Sequence, residues 1–128
     1  MSYYFSKTLE MPFDQAVKHV TDALAAKGFG VLTTIDVSAT MKKKLGVDFR
    51  PYMILGACNP TFAHKALQAE DKIGTMLPCN VIVQETGKGR VEVSAVDPVA
   101  SMQAVKNPTL ASIASEVRDL LKQIVADL

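Results

Sequence analysis

Tyr52-Met53-Ile54-Leu55-Gly56-Ala57-Cys58-Asn59-Pro60 is the stretch on which the fold turns. Its first seven residues read as a buried strand, with Tyr52, Ile54, Gly56 and Cys58 on one face and Met53, Leu55 and Ala57 on the other. Asn59-Pro60 then supplies an N-cap and a first helical residue, so the strand passes directly into a helix. Phe62, Ala63, Ala66 and Leu67 form the inward stripe of that helix, which reaches about Asp71.

Working outward, Val31, Thr33 and Ile35 alternate with Leu32, Thr34 and Asp36, a β-branched run with apolar side chains on both faces that is expected near the centre of a sheet. Between the two strands, Ser38 to Leu45 reads as a short helix or turn ended by Gly46, followed by a loop through Asp48 and Arg50 to Pro51. Further upstream, Tyr3 to Leu9 is strand-like. Pro12 opens a helix with Phe13, Ala16, Val17, Val20 and Leu24 at helical spacing, and Gly28 stops it.

Downstream, Gly74 to Pro78 is a connector, and Cys79 to Glu85 and Arg90 to Val96 are two strands whose glycine-containing link predicts a hairpin. Asp97-Pro98 to Lys106 has no single reading. Asn107-Pro108 repeats the cap signature and starts a long amphipathic C-terminal helix with Leu110, Ile113, Val117, Leu120 and Ile124 inward, flanked by Leu121, Val125 and Leu128. Covering a sheet is the role this broad stripe suits best, and its excess width could also serve a two-fold dimer. The order β-α-β-(short α)-β-α-β-β-α predicts an α+β fold, one sheet packed by helices in a single domain spanning residues 1–128.

Composition agrees with one domain: 128 residues are too few for two separate cores. Fourteen Lys and Arg against thirteen Asp and Glu leave a net charge of +1, without the excess that draws a protein onto nucleic acid or an anionic membrane. The first residues lack a signal-peptide pattern, and no run of 18 apolar residues occurs, so a cytoplasmic location is expected. In a reducing compartment the two cysteines, Cys58 and Cys79, favour a thiol, metal or redox role over a structural disulfide.

The candidate chemistry gathers at two Cys-Asn pairs. Gly56-Ala57-Cys58-Asn59-Pro60 ends a strand and begins a helix, where free backbone N–H groups and the positive helix end can hold an anion or activate a thiol. The alternative is that Asn59 caps, Pro60 sets the first turn, and Cys58 is a small buried hydrophobe. Leu77-Pro78-Cys79-Asn80-Val81 opens another strand in the same way. If the two strands are neighbours, both thiols lie near one sheet end and can share a metal, exchange as a disulfide or line a pocket.

A closed zinc site would need two more ligands, and His19 and His64 read as ordinary helix-surface residues without metal-ligand spacing. Lys42-Lys43-Lys44 is the one basic concentration; it could meet an anionic ligand, although a solvated helix face explains such runs more often. No aromatic residue interleaves with it, which argues against nucleic-acid stacking. Phosphate loops, nucleophile elbows, zinc-protease motifs and dinucleotide fingerprints are absent, so classical hydrolase chemistry is not indicated, and the sequence assigns no cofactor.

The two Cys-Asn motifs in this order, together with Gly28-Phe29-Gly30-Val31, Ile35-Asp36, Lys42 and Gly46, resemble the DUF302 family of uncharacterised bacterial and archaeal proteins over roughly residues 10–97. That resemblance implies a curved, mainly antiparallel sheet packed by helices, similar to the TATA-binding-protein-like architecture, and a tendency to form homodimers. It implies no activity. Family motif positions fall on Tyr52, Gly56, Cys58, Asn59, Pro60, Pro78, Cys79 and Asn80.

The leading expectation is a cytoplasmic module, non-enzymatic or weakly catalytic, that binds a small molecule, an anion being one candidate, in a cleft lined by Cys58, Asn59, Cys79 and Asn80, with Tyr52 and Lys42 as further ligand-binding candidates. Its rivals are thiol redox or sulfur handling by Cys58 and Cys79, and a structural homodimer without a ligand.

Overall fold

The computed structural model describes residues 2–128; residue 1, which the span of the expected domain includes, lies outside them. The chain runs β1 (Tyr4–Leu9), α1 (Phe13–Ala26), β2 (Gly30–Asp36), α2 (Val37–Leu45), β3 (Tyr52–Cys58), α3 (Pro60–Ala69), a 3-10 helix (Asp71–Met76), β4 (Cys79–Gly87), β5 (Arg90–Val96), α4 (Pro98–Ser101) and α5 (Pro108–Ala126). The strands form one sheet in the order β1-β5-β4-β3-β2, with every neighbouring pair antiparallel. This is the α+β architecture that the order of periodic segments predicts.

Strand alternation makes the core. Leu55 and Ala57 of β3, Val81 and Val83 of β4, and Val91, Val93 and Ala95 of β5 share one sheet face and are buried. Ala16, Val20 and Leu24 of α1 and Val117, Leu121, Ile124 and Val125 of α5 cover them. A smaller cluster, Ala66, Ile73 and Leu110 with Leu77, Met102 and Val105, sits under α3, the 3-10 helix and α4.

The helix starts follow one design. Asn59, Asp97 and Asn107 each precede proline, and each Oδ1 accepts from two first-turn backbone N–H groups. Such a cap contributes about 1 kcal/mol, and the proline fixes the first turn without losing a needed donor. At the other end of α1, Gly28 has φ +85°. The Phe29 N–H bonds the Leu24 carbonyl at 2.9 Å and the Gly28 N–H bonds the Ala25 carbonyl at 3.1 Å, a Schellman closure that requires the left-handed conformation glycine supplies.

Three expectations change. β2 is an edge strand, not a central one. Its pairing with β3 slips between Val31 and Thr33, which stand opposite Ala57 and Gly56, so Leu32 is an inserted bulge residue. Leu32 is 68% and Ile35 49% exposed; apolar residues on both faces here mark a bulge and an uncovered edge. In α3, Ala66 is buried while Leu67 is 45% exposed, because the helix covers the sheet end with its smaller side chains. In α5, Leu121 is fully buried and Leu120 only partly, a small rotation of the inward face.

A cavity at the paired Cys-Asn motifs

β3 and β4 are direct neighbours, with Ala57 opposite Cys79 and Gly56 opposite Asn80. The end of one strand and the start of the other therefore lie side by side, which realises the adjacency that the spacing left open. Both cysteines are free; Cys58 is half-buried and Cys79 is 8% exposed. Together they line a cavity of about 320 Å³ between the main core and the smaller cluster. Phe29, Phe62, Ala63, Ala66, Met102, Leu110, Ala114 and Val117 supply much of its wall, and the exposed Leu32 and Leu67 also line it.

Among the side chains lining the cavity, Asn59 alone carries nitrogen or oxygen. Its Oδ1 accepts from the N–H groups of Thr61 at 3.2 Å and Phe62 at 3.4 Å. The first-turn donors that could have held an anion are thus already engaged, and no lysine or arginine lines the space. The Asn59 Nδ2 lies over Gly28, 3.2 Å from where a Cβ would stand at that position.

Burial pushes the Cys79 thiol up from 9.0 to about 11, and neighbouring Cys58 adds to the rise. At neutral pH this leaves Cys79 with about a hundredfold less thiolate than an ordinary cysteine. Iodoacetamide at pH 8 is expected to modify Cys58 and spare Cys79, read by peptide mass spectrometry; equal labelling of the native protein would contradict this burial. The folded state favours the neutral thiol, so its contribution to stability is complete below pH 9. It is lost as pH rises from there through about 11, because the unfolded chain gives up the proton first. Urea unfolding across that window should therefore show a steeper fall for the wild type than for Cys79→Ala.

The other sequence candidates stand elsewhere. Asn80 is exposed on the sheet face opposite Cys79, as strand alternation requires. Tyr52 begins β3, six residues or about 20 Å from Cys58. It stands near Phe49, ring centroids 6.2 Å apart, with the Arg50 guanidinium 5.5 Å from its ring centroid. Lys42 pairs with Asp48 at 3.1 Å and lines a separate hollow that also holds Asp14 and Asp36, an acidic setting for an anion. His19 and His64 are exposed. No group of three or more His, Cys, Asp or Glu able to hold a metal occurs among the described residues.

The motif positions locate one wall of the cavity and miss the rest, which comes from α3, α4 and α5. One signal was present in the sequence: Ala63, Ala66 and Ala114 put methyl groups where inward-facing helix positions ordinarily carry larger side chains.

Helices packed on a five-stranded antiparallel sheet, with an apolar cavity where two adjacent strands begin and end, define an α+β domain. The model of the domain of unknown function DUF302 matches residues 5–128, and the chain belongs to that family. It is similar in structure to an uncharacterized conserved protein, DUF302, from Bacillus stearothermophilus, whose crystal structure superposes with a TM-score of 0.89 over 98% of each chain at 24% identity. No curated protein matches the chain. No helix among the described residues is long and apolar enough to cross a membrane.

Proposed function

We propose that this protein is a small-molecule-binding module whose ligand occupies the cavity at the paired Cys-Asn motifs. The observation that carries this is an accessible apolar space of about 320 Å³ separating two otherwise well-packed core clusters. Its volume and its mainly apolar wall with one polar group match the general pattern of ligand sites. Cys58, Asn59 and Cys79 are the members of the expected site that line it. The raised thiol of Cys79 works against the thiolate that redox exchange would need, so ligand binding is the better supported function.

Titration with ethylbenzene, followed by amide and methyl NMR, should give saturable shifts confined to residues such as Phe62, Met102 and Leu110. Ala63→Trp, at a half-buried lining position of α3, places an indole in the space and should abolish those shifts while the protein stays folded. Shifts that never saturate, or that survive the tryptophan, would remove the proposal.

A further inference from the structure

We propose that the occupant of the cavity is an unbranched alkyl chain longer than the cavity itself, bound tail first, with its outer carbons lying on Leu32 and Leu67 and its polar head in water. This rests on the cavity being the ligand site and adds the chemical class and the direction of its occupant.

The cavity has two unlike ends. Phe29, Ala57, Ala66, Leu110 and Val117 are buried and close its inner part. Its exposed lining residues are Leu32, Leu67 and Gly74, from the bulge of β2, α3 and the 3-10 helix respectively, so the opening lies among those three segments. Leu32 stays mostly exposed and Leu67 nearly half exposed, although both already contribute to the wall. Apolar side chains that border an apolar space and still face water extend its binding surface outward, which is the pattern of a ligand groove.

The chemistry of the wall orients the molecule. No lysine, arginine, aspartate or glutamate lines the space, so a charged or strongly polar head drawn inside would lose its water without gaining a partner. The head therefore stays at the opening and the apolar tail goes in. About 320 Å³ corresponds to roughly ten water volumes, and a methylene is about the size of a water molecule, so roughly ten carbons fill the interior. A compact ring system of that size would end at the opening and leave the two leucines as exposed as before. A chain that continues past the opening covers them and gains further transfer free energy.

The test is a chain-length series, n-alkyl maltosides from hexyl to tetradecyl, each titrated below its micelle concentration into the wild type, Ala63→Trp and the double variant Leu32→Ser/Leu67→Ser by calorimetry. Both leucines are exposed, so the double variant should fold as the wild type does. In the wild type, affinity should rise about threefold per carbon up to about ten, the transfer gain of a methylene less the rotation it loses, and keep rising by about twofold per carbon beyond that length. The double variant should follow the same rise to about ten carbons and then level off, and Ala63→Trp should bind none of the series. A wild-type affinity that levels off at about ten carbons, a double variant that matches the wild type at every length, or long-chain binding that survives the tryptophan overturns the extended chain and leaves the cavity standing as a site. Failure of the maltosides where ethylbenzene still saturates does the same. Failure of both overturns the cavity reading as well.

Discussion

Gly56→Ala is expected to destabilise the protein by about 3 kcal/mol, lowering its melting temperature by roughly 10 °C. Gly56 lies in β3, paired to Thr33 of β2 and Asn80 of β4, and it is buried despite facing away from the helices. An added Cβ would stand 2.8 Å from Pro78 Cγ and collide with Thr33 Oγ1. The threonine can rotate its side chain. The proline ring cannot move without the backbone that leads into β4, so the strain falls on the junction that places Cys79 beside β3. Thr33→Ala in the same background should recover part of the loss and leave the share due to Pro78. Urea unfolding of the three proteins measures both quantities, and a Gly56→Ala cost below about 0.5 kcal/mol would show that this close approach is not a constraint.

Leu121→Ala should cost about 2–5 kcal/mol, and Leu120→Ala distinctly less. Leu121 is fully buried in the main cluster, against the sheet face that carries Leu55 and Val93, whereas Leu120 packs on that cluster from a partly exposed position. Removing the Leu121 side chain opens a hole that the surrounding strands cannot collapse into. Truncating Leu120 lets water or neighbouring side chains fill the gap. Equal losses for the two variants would mean that α5 is rotated from its described orientation.

The same pair shows how far periodicity reaches. The repeat Leu110, Ile113, Val117, Leu120 and Ile124 located the long helix and the general direction of its inward face, because 3.6 residues per turn leave few choices. It missed the small rotation that favours Leu121, since both residues lie within the broad stripe and only the opposing sheet decides which goes deeper. At Leu32 and Ile35 the pattern misled for a different reason. Alternation tells which face a side chain takes, yet a bulge and an open edge change its surroundings without changing a letter.

The candidate site divides along the same line. Asn59 and Asn107 were legible as caps because the reach from an Asn side chain to the next two or three N–H groups is a local matter. Nothing local separates them further, although the Asn107 amide nitrogen meets the Ala69 carbonyl while the Asn59 amide nitrogen lies over Gly28. Tyr52 and Asn80 likewise carry the resemblance as fully as Cys58 does, yet stand at the far end of β3 and on the opposite sheet face.

Sequence alone therefore determined the order of the five strands and of the helices α1, α2, α3 and α5, the Asn59 and Asn107 caps and the glycine that closes α1, since each depends on interactions within a few residues; the 3-10 helix and α4 escaped it. The position of β2 at the edge, the meeting of Cys58 with Cys79 and the cavity between the two core clusters were decided by tertiary structure. These depend on packing between segments as far apart in the chain as Phe29 and Val117, where the free energy lies in shape and burial and leaves no periodic trace in the chain.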